Sequence, residues 1–146
     1  MGLRATRTWL AAVGMALLSA VGPASALESS PVASARATAT LVSDSDTVAT
    51  GAPLHLALRL RMAPGWHTYW KNPGDAGVPA HLDWTLPPGV TGRPIAWPTP
   101  SRNAEPPLMT YGYGGEVLLP VALSGIGAGA LEVRLHATWL VCEKLC

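Results

Sequence analysis

The chain has 146 residues, with 10 Lys and Arg against 9 Asp and Glu, a balance that excludes a strongly charged surface and argues against nucleic acid as a partner. Gly (15) and Pro (14) are abundant, only 13% of residues are charged, and Phe is absent, so six Trp and three Tyr supply the aromatic volume. That is the composition of a β-rich folded domain and not of a disordered chain.

The first 26 residues read as a secretory signal. Arg4 and Arg7 give the positive start, Trp9 to Val21 the apolar run, Gly22 and Pro23 the break, and Ala24-Ser25-Ala26 the cleavage site. The apolar run is too short for a permanent membrane span. A mature chain starting at Leu27 is expected, in an oxidising compartment, with residues 27–146 forming one domain.

Strict alternation then takes over. Leu54, Leu56, Leu58, Leu60 and Met62 share one parity, with His55, Arg59 and Arg61 on the other, which predicts a strand buried on one face. Weaker strands are expected over Ala35 to Ser43, Trp66 to Lys71, His81 to Leu86 and Glu116 to Leu123, with Pro120 placing the last at an edge or bulge. A long strand is expected at the end, where Leu131, Val133, Leu135, Ala137, Trp139 and Val141 alternate with Glu132, Arg134, His136 and Thr138. Turns at Ala63 to Gly65, Asn72 to Gly77, Pro87 to Gly89 and Gly125 to Gly129 separate these segments. The fold class is therefore all-β, an immunoglobulin-like antiparallel β-sandwich.

Between Pro87 and Pro107 the prolines Pro87, Pro88, Pro94, Pro98, Pro100, Pro106 and Pro107 predict loop or extended chain and not sheet interior. The sequence closes without the polar turn of a finished sandwich, so an incomplete C-terminus and a longer natural chain are expected.

Both cysteines, Cys142 and Cys146, lie in the last eight residues, Trp139 to Cys146. A straight strand would separate their α-carbons by roughly 13 Å, beyond the roughly 7 Å limit of a disulfide, so the chain must turn for them to bond. Parity places Cys142 on the face opposite the apolar stripe, where a partner could reach it. Three chemistries fit the pair. As a structural staple it is weak, since closing a loop of about five residues contributes roughly 2 kcal/mol against about 4.7 for a hundred-residue loop. As a redox couple it has an accessible sulfur with a resolving thiol beside it. Lys144 favours a thiolate and Glu143 opposes it, so neither cysteine is singled out as the attacker. As a copper site it would need a nitrogen ligand; its spacing resembles the copper pair of Sco-type assembly proteins, which have a different fold. His136 is roughly 20 Å away along a straight strand, and His67, Met62 and Met109 cannot be placed from sequence.

Taken together, the stretch from Ala63 to Gly89 beginning "APGWHTYWKNPGDAG", then "WPTP" at Trp97 to Pro100, "TYGYGGEVLLPV" at Thr110 to Val121 and the closing "WLVCEKLC" resemble the N-terminal periplasmic domain of the DsbD/ScsB thiol:disulfide interchange proteins, over most of residues 36 to 146. The resemblance implies an immunoglobulin-like domain with a redox pair at Cys142 and Cys146 as its catalytic residues. It implies a membrane domain and a thioredoxin-like domain elsewhere in the full-length chain, anchored in the inner membrane. It also implies electron flow through the pair to periplasmic thioredoxin-like proteins, disulfide isomerases or cytochrome c maturation factors. The spacing of the pair is closer to the ScsB-like branch, which is linked with copper tolerance. The expected chemistry is protein-disulfide reduction with no cofactor and no obligatory metal.

The remaining motifs are weaker. Trp66, Trp70, Trp84, Trp97 and Trp139 are expected to pack in the core or under loops and not to form a binding surface. Tyr111 and Tyr113 sit among glycines that permit a tight exposed turn, and this loop, or the proline-rich one before it, is a candidate shield for the cysteine pair. Asp75, Asp83 and Glu116 form no recognisable acid/base pair, and no hydrolase triad order, phosphate loop or zinc motif is present.

Overall fold

The computed structural model describes residues 26–144; the expected signal, up to Ser25, and Cys146 lie outside the described residues. Ten strands follow one another: β1 (Val32–Ala33), β2 (Ala37–Ser43), β3 (Leu54–Met62), β4 (His67–Gly74), β5 (His81–Thr85), β6 (Thr91–Gly92), β7 (Ser101–Glu105), β8 (Leu108–Gly114), β9 (Glu116–Ser124) and β10 (Arg134–Thr138). They pair antiparallel in three sheets, ordered β1-β2-β3-β9-β6, β10-β5 and β4-β8-β7. The first sheet packs against the other two, so the chain is an all-β, immunoglobulin-like sandwich as expected.

The alternation in β3 is what builds the core. Its register sets Leu56 opposite Val121, Leu58 opposite Leu119 and Leu60 opposite Val117, and all six are buried. Each such side chain contributes about 1.5–3 kcal/mol when taken out of water. From the facing sheets come Tyr113 of β8 and the partly buried Leu82, Trp84, Leu135 and Ala137 of β5 and β10, with Trp66, Trp70, Trp97 and Trp139 packed on the same clusters. The opposite face of β3 is polar: Arg59 is held in a two-pronged pair by Glu28, and Arg61 pairs with Glu116.

Pro120 sits where its chemistry allows. Its carbonyl accepts a bond from the Ala96 N–H (2.9 Å), and because a residue's N and O point the same way across a strand, its donorless nitrogen faces away from β3. On that side, among the described residues, the only strand paired with β9 is the two-residue β6 at Thr91 and Gly92, and beyond it only the Arg93 and Ala96 N–H groups reach the Ala122 and Pro120 carbonyls. The expected edge position is thus met on one side of the strand.

Two expectations need correction. Most of the proline-rich stretch is loop as expected, with residues 93–100 outside any strand, but it also holds β6 and the edge strand β7. Of the glycine-rich "TYGYGG" read as a turn, Thr110 to Gly114 end β8 and Gly115 alone, at φ 67°, turns the chain into β9. Residues 101–105 carry no proline, so the ladder can form there; Pro106 and Pro107 fall in the turn between β7 and β8. Tyr113 is consequently buried, with its hydroxyl donating to the Pro98 carbonyl (2.8 Å), and the Tyr111 ring stands edge-on to Trp70 at 6.4 Å. The second correction concerns the terminal strand. β10 stops at Thr138, because its partner β5 begins at His81, the residue opposite Thr138.

Burial pushes Tyr113 up to about 12 from the ordinary 10.0. In the unfolded chain this phenol ionises near pH 10, so the folded state retains a proton that the unfolded state loses, and stability falls as pH rises from there through about 12. Tyr69 shifts the same way, mainly by burial and then by the charge of Glu105. Tyr113→Phe is expected to cost about 1 kcal/mol at neutral pH and to flatten part of the alkaline slope in urea unfolding. Equal slopes in the two proteins would contradict the assignment.

Candidate functional site

Beyond Thr138 the chain leaves one sheet for another. Thr68 of β4, itself buried, donates its hydroxyl to the Leu140 carbonyl (2.8 Å). Val141 packs against the core cluster. At Cys142 the backbone joins β4, with the His67 N–H donating to the Cys142 carbonyl at 2.8 Å and the Cys142 N–H to the His67 carbonyl at 3.0 Å.

Cys142 is disulfide-bonded, and Cys146 is the other cysteine of the sequence. Val141 packs on the core cluster, and its neighbour Cys142 is itself among the most deeply buried side chains. Accessibility differs from the expectation: Cys142 is only 1% exposed. The reason is that the segment is no longer the free end of β10 but a rung laid against β4.

That rung is also what sequence reasoning could not supply. A doubly hydrogen-bonded antiparallel pair sets its side chains side by side on one face, so His67 is the immediate neighbour of Cys142 across the rung. The two are 75 residues apart in sequence, and no periodicity links them. His67 is 9% exposed, and its Nε2 is buried without a hydrogen-bond partner, an arrangement that costs about 1–3 kcal/mol if nothing ever fills it. Its ring meets Tyr69 edge-on at 5.2 Å.

Beside His67 opens a recess of about 400 Å³, lined also by Trp66, Asn103, Glu105, Gly114 and Glu143. The Asn103 side-chain nitrogen is a second buried group there without a partner. Tyr111 and Tyr113 do not line this recess; they tie the β7–β8 hairpin to Trp70 and Pro98. Asp75, Asp83 and Glu116 stay apart, bonded to the Met109 N–H, His81 and Arg61 respectively. His136 is exposed on β10, in register with Asp83 and away from the cysteine. Among the described residues no group of three or more His, Cys, Asp and Glu is placed to hold a metal ion.

An immunoglobulin-like sandwich that carries a disulfide-bonded cysteine on its last described rung defines a class of small all-β domains bearing a cysteine pair. Residues 38–146 match the family described as thiol:disulfide interchange protein DsbD, N-terminal, and the chain belongs to that family. Among solved structures, the chain is similar to the N-terminal periplasmic domain of ScsB from Proteus mirabilis, with a TM-score of 0.63 and 26% identity, over 84% of this chain and 48% of that one. It thus spans about half the length of that solved domain. Comparison with curated proteins gave no match.

Proposed function

We propose that this chain is a periplasmic thiol:disulfide exchange domain that relays electrons, through Cys142 and Cys146, from a membrane-embedded reductase to thioredoxin-like proteins or disulfide isomerases. The observation that carries the reading is the disulfide at Cys142 inside the segment matched by the interchange family. Two exchanges make one cycle. A thiolate of the donor attacks the domain's disulfide, forms a mixed disulfide and is released by the donor's second thiol, leaving the pair as a dithiol. One of these thiols then attacks the target's disulfide, and the other resolves that intermediate, so two electrons and two protons reach the target. Residues 1–26 serve as the secretory signal, and residues 27–146 belong to a longer, inner-membrane-anchored protein with thioredoxin-like and membrane domains.

Burial of Cys142 makes shielding part of the proposal. We assign it to the β7–β8 hairpin, whose Asn103 and Glu105 line the recess beside His67 and which Tyr111 and Tyr113 fix in place. A variant that loosens the hairpin should speed the reaction of reduced Cys142 with a small oxidant; an unchanged rate would sink this part.

The deciding experiment is the reduction potential of the pair in the exported protein, whose N-terminus is expected at Leu27, equilibrated against glutathione without copper. A value at or above about −270 mV is expected, as for catalytic dithiols; one well below about −300 mV would mean a structural disulfide. The second reading, a copper-tolerance module using the same thiols, is favoured by one placement: His67 supplies a nitrogen beside a soft sulfur. Stoichiometric, tight Cu(I) binding by the reduced protein, lost in His67→Phe, would promote it.

A further inference from the structure

His67 is a buried imidazole with an unpartnered Nε2, set across a doubly bonded rung from a disulfide sulfur. A rung of this kind holds its α-carbons about 5.5 Å apart with both side chains on one face. A disulfide sulfur carries no proton and is a poor acceptor. A thiol or thiolate at the same place is a natural partner for an imidazole. The orphaned nitrogen therefore makes sense in the reduced state of the pair.

We propose that His67 is the proton partner of Cys142 in the reduced domain. The neutral imidazole takes the proton of the Cys142 thiol, giving a thiolate beside an imidazolium, with no change in oxidation state. When that thiolate attacks a partner's disulfide, one S–S bond forms and one breaks, and the departing partner thiolate takes up the proton from the imidazolium. The inference rests on the exchange function proposed above.

The groups facing His67 set the sign. From its own strand comes the neutral Tyr69 ring; from β7, Glu105; from the residue after Cys142, Glu143, both lining the same recess; β8 presents Gly114 opposite His67. Two carboxylates disfavour a bare thiolate but favour an imidazolium. His67 is thus the residue through which an acidic recess becomes compatible with a reactive thiolate. It also separates the roles of the nearby charges, since neither Glu105 nor Glu143 would need to move for the proton to pass.

The test is the pH profile of iodoacetamide alkylation of Cys142 in the intact reduced protein carrying Cys146→Ser, with and without His67→Gln. With His67 present, the midpoint should lie below the ordinary thiol value of about 8.5. His67→Gln, which keeps a polar side chain, should raise it by about one unit and slow alkylation at pH 7 about tenfold. Superimposable profiles would overturn the proposal. Should the variant fail to fold, the NMR signals of the His67 ring nitrogens in the unmutated protein test the same point: Nε2 should gain a hydrogen-bond partner when the disulfide is reduced, and identical signals in both redox states would overturn the proposal. A low, structural reduction potential would instead defeat the exchange function itself, so the two failures are distinguishable.

Discussion

Cys142→Ser is expected to lower disulfide exchange by the intact protein by roughly a thousandfold or more, to the background of the uncatalysed reaction. The hydroxyl replacing the thiol has nearly the same shape, so the rung with His67, held by backbone atoms alone, remains. Serine cannot form the mixed disulfide, and the step that splits one exchange into two is lost. The measurement is the rate at which the reduced protein transfers electrons to a thioredoxin-like disulfide, followed by alkylation and mass. Because a five-residue disulfide loop contributes only about 2 kcal/mol, the unfolding midpoint should fall by roughly 5–10 °C and no further. Retained exchange in the serine variant would remove Cys142 from the mechanism. A large drop in stability with unchanged exchange would restore the staple.

Gly112→Val should have the largest effect on folding. Gly112 lies in the middle strand of its sheet, opposite Tyr69 on one side and Ser101 on the other. A β-carbon built there would collide with the carbonyl oxygen of Thr68, which is backbone and cannot swing aside. β4 and β8 must then separate, at a cost of more than about 3 kcal/mol and a fall in Tm of roughly 10 °C or more. Thr68 and His67 are the two residues that hold Leu140 and Cys142, so the variant should also react faster with small oxidants at reduced Cys142. Gly127→Ala, where a β-carbon meets open space, is the control and should change stability by less than about 0.5 kcal/mol. Equal melting of the two variants would show that the close approach is not needed.

The sandwich was legible because its central strands alternate without interruption: the five residues from Leu54 to Met62 name one face of the core, and β9 supplies their partners. What the pattern could not show is a change of partner within one continuous run. From Leu131 to Trp139 the alternation holds and only the apolar Leu140 interrupts it, yet the backbone exchanges β5 for β4 between Thr138 and Cys142, since parity reports which face is buried and says nothing about which strand is alongside. The hairpin of β7 and β8 was missed for a different reason: glycine and proline mark turns on average, and here the prolines occupy the turn while the glycines lie in a strand that approaches its neighbour closely. The cysteine pair was conspicuous as a motif. His67, joined to it only by long-range pairing, was not.

The single rung between His67 and Cys142 has a kinetic meaning. Two hydrogen bonds at the end of a ladder, an isolated bridge among the described residues, can fray without disturbing the leucine layers beneath. Amide exchange at Cys142 should accordingly proceed by local opening, at a free energy well under that of global unfolding. Each such opening would free one side of the sulfur that the closed rung and the β7–β8 hairpin shut away. The frequency of those openings sets an upper limit on how fast any partner can engage it.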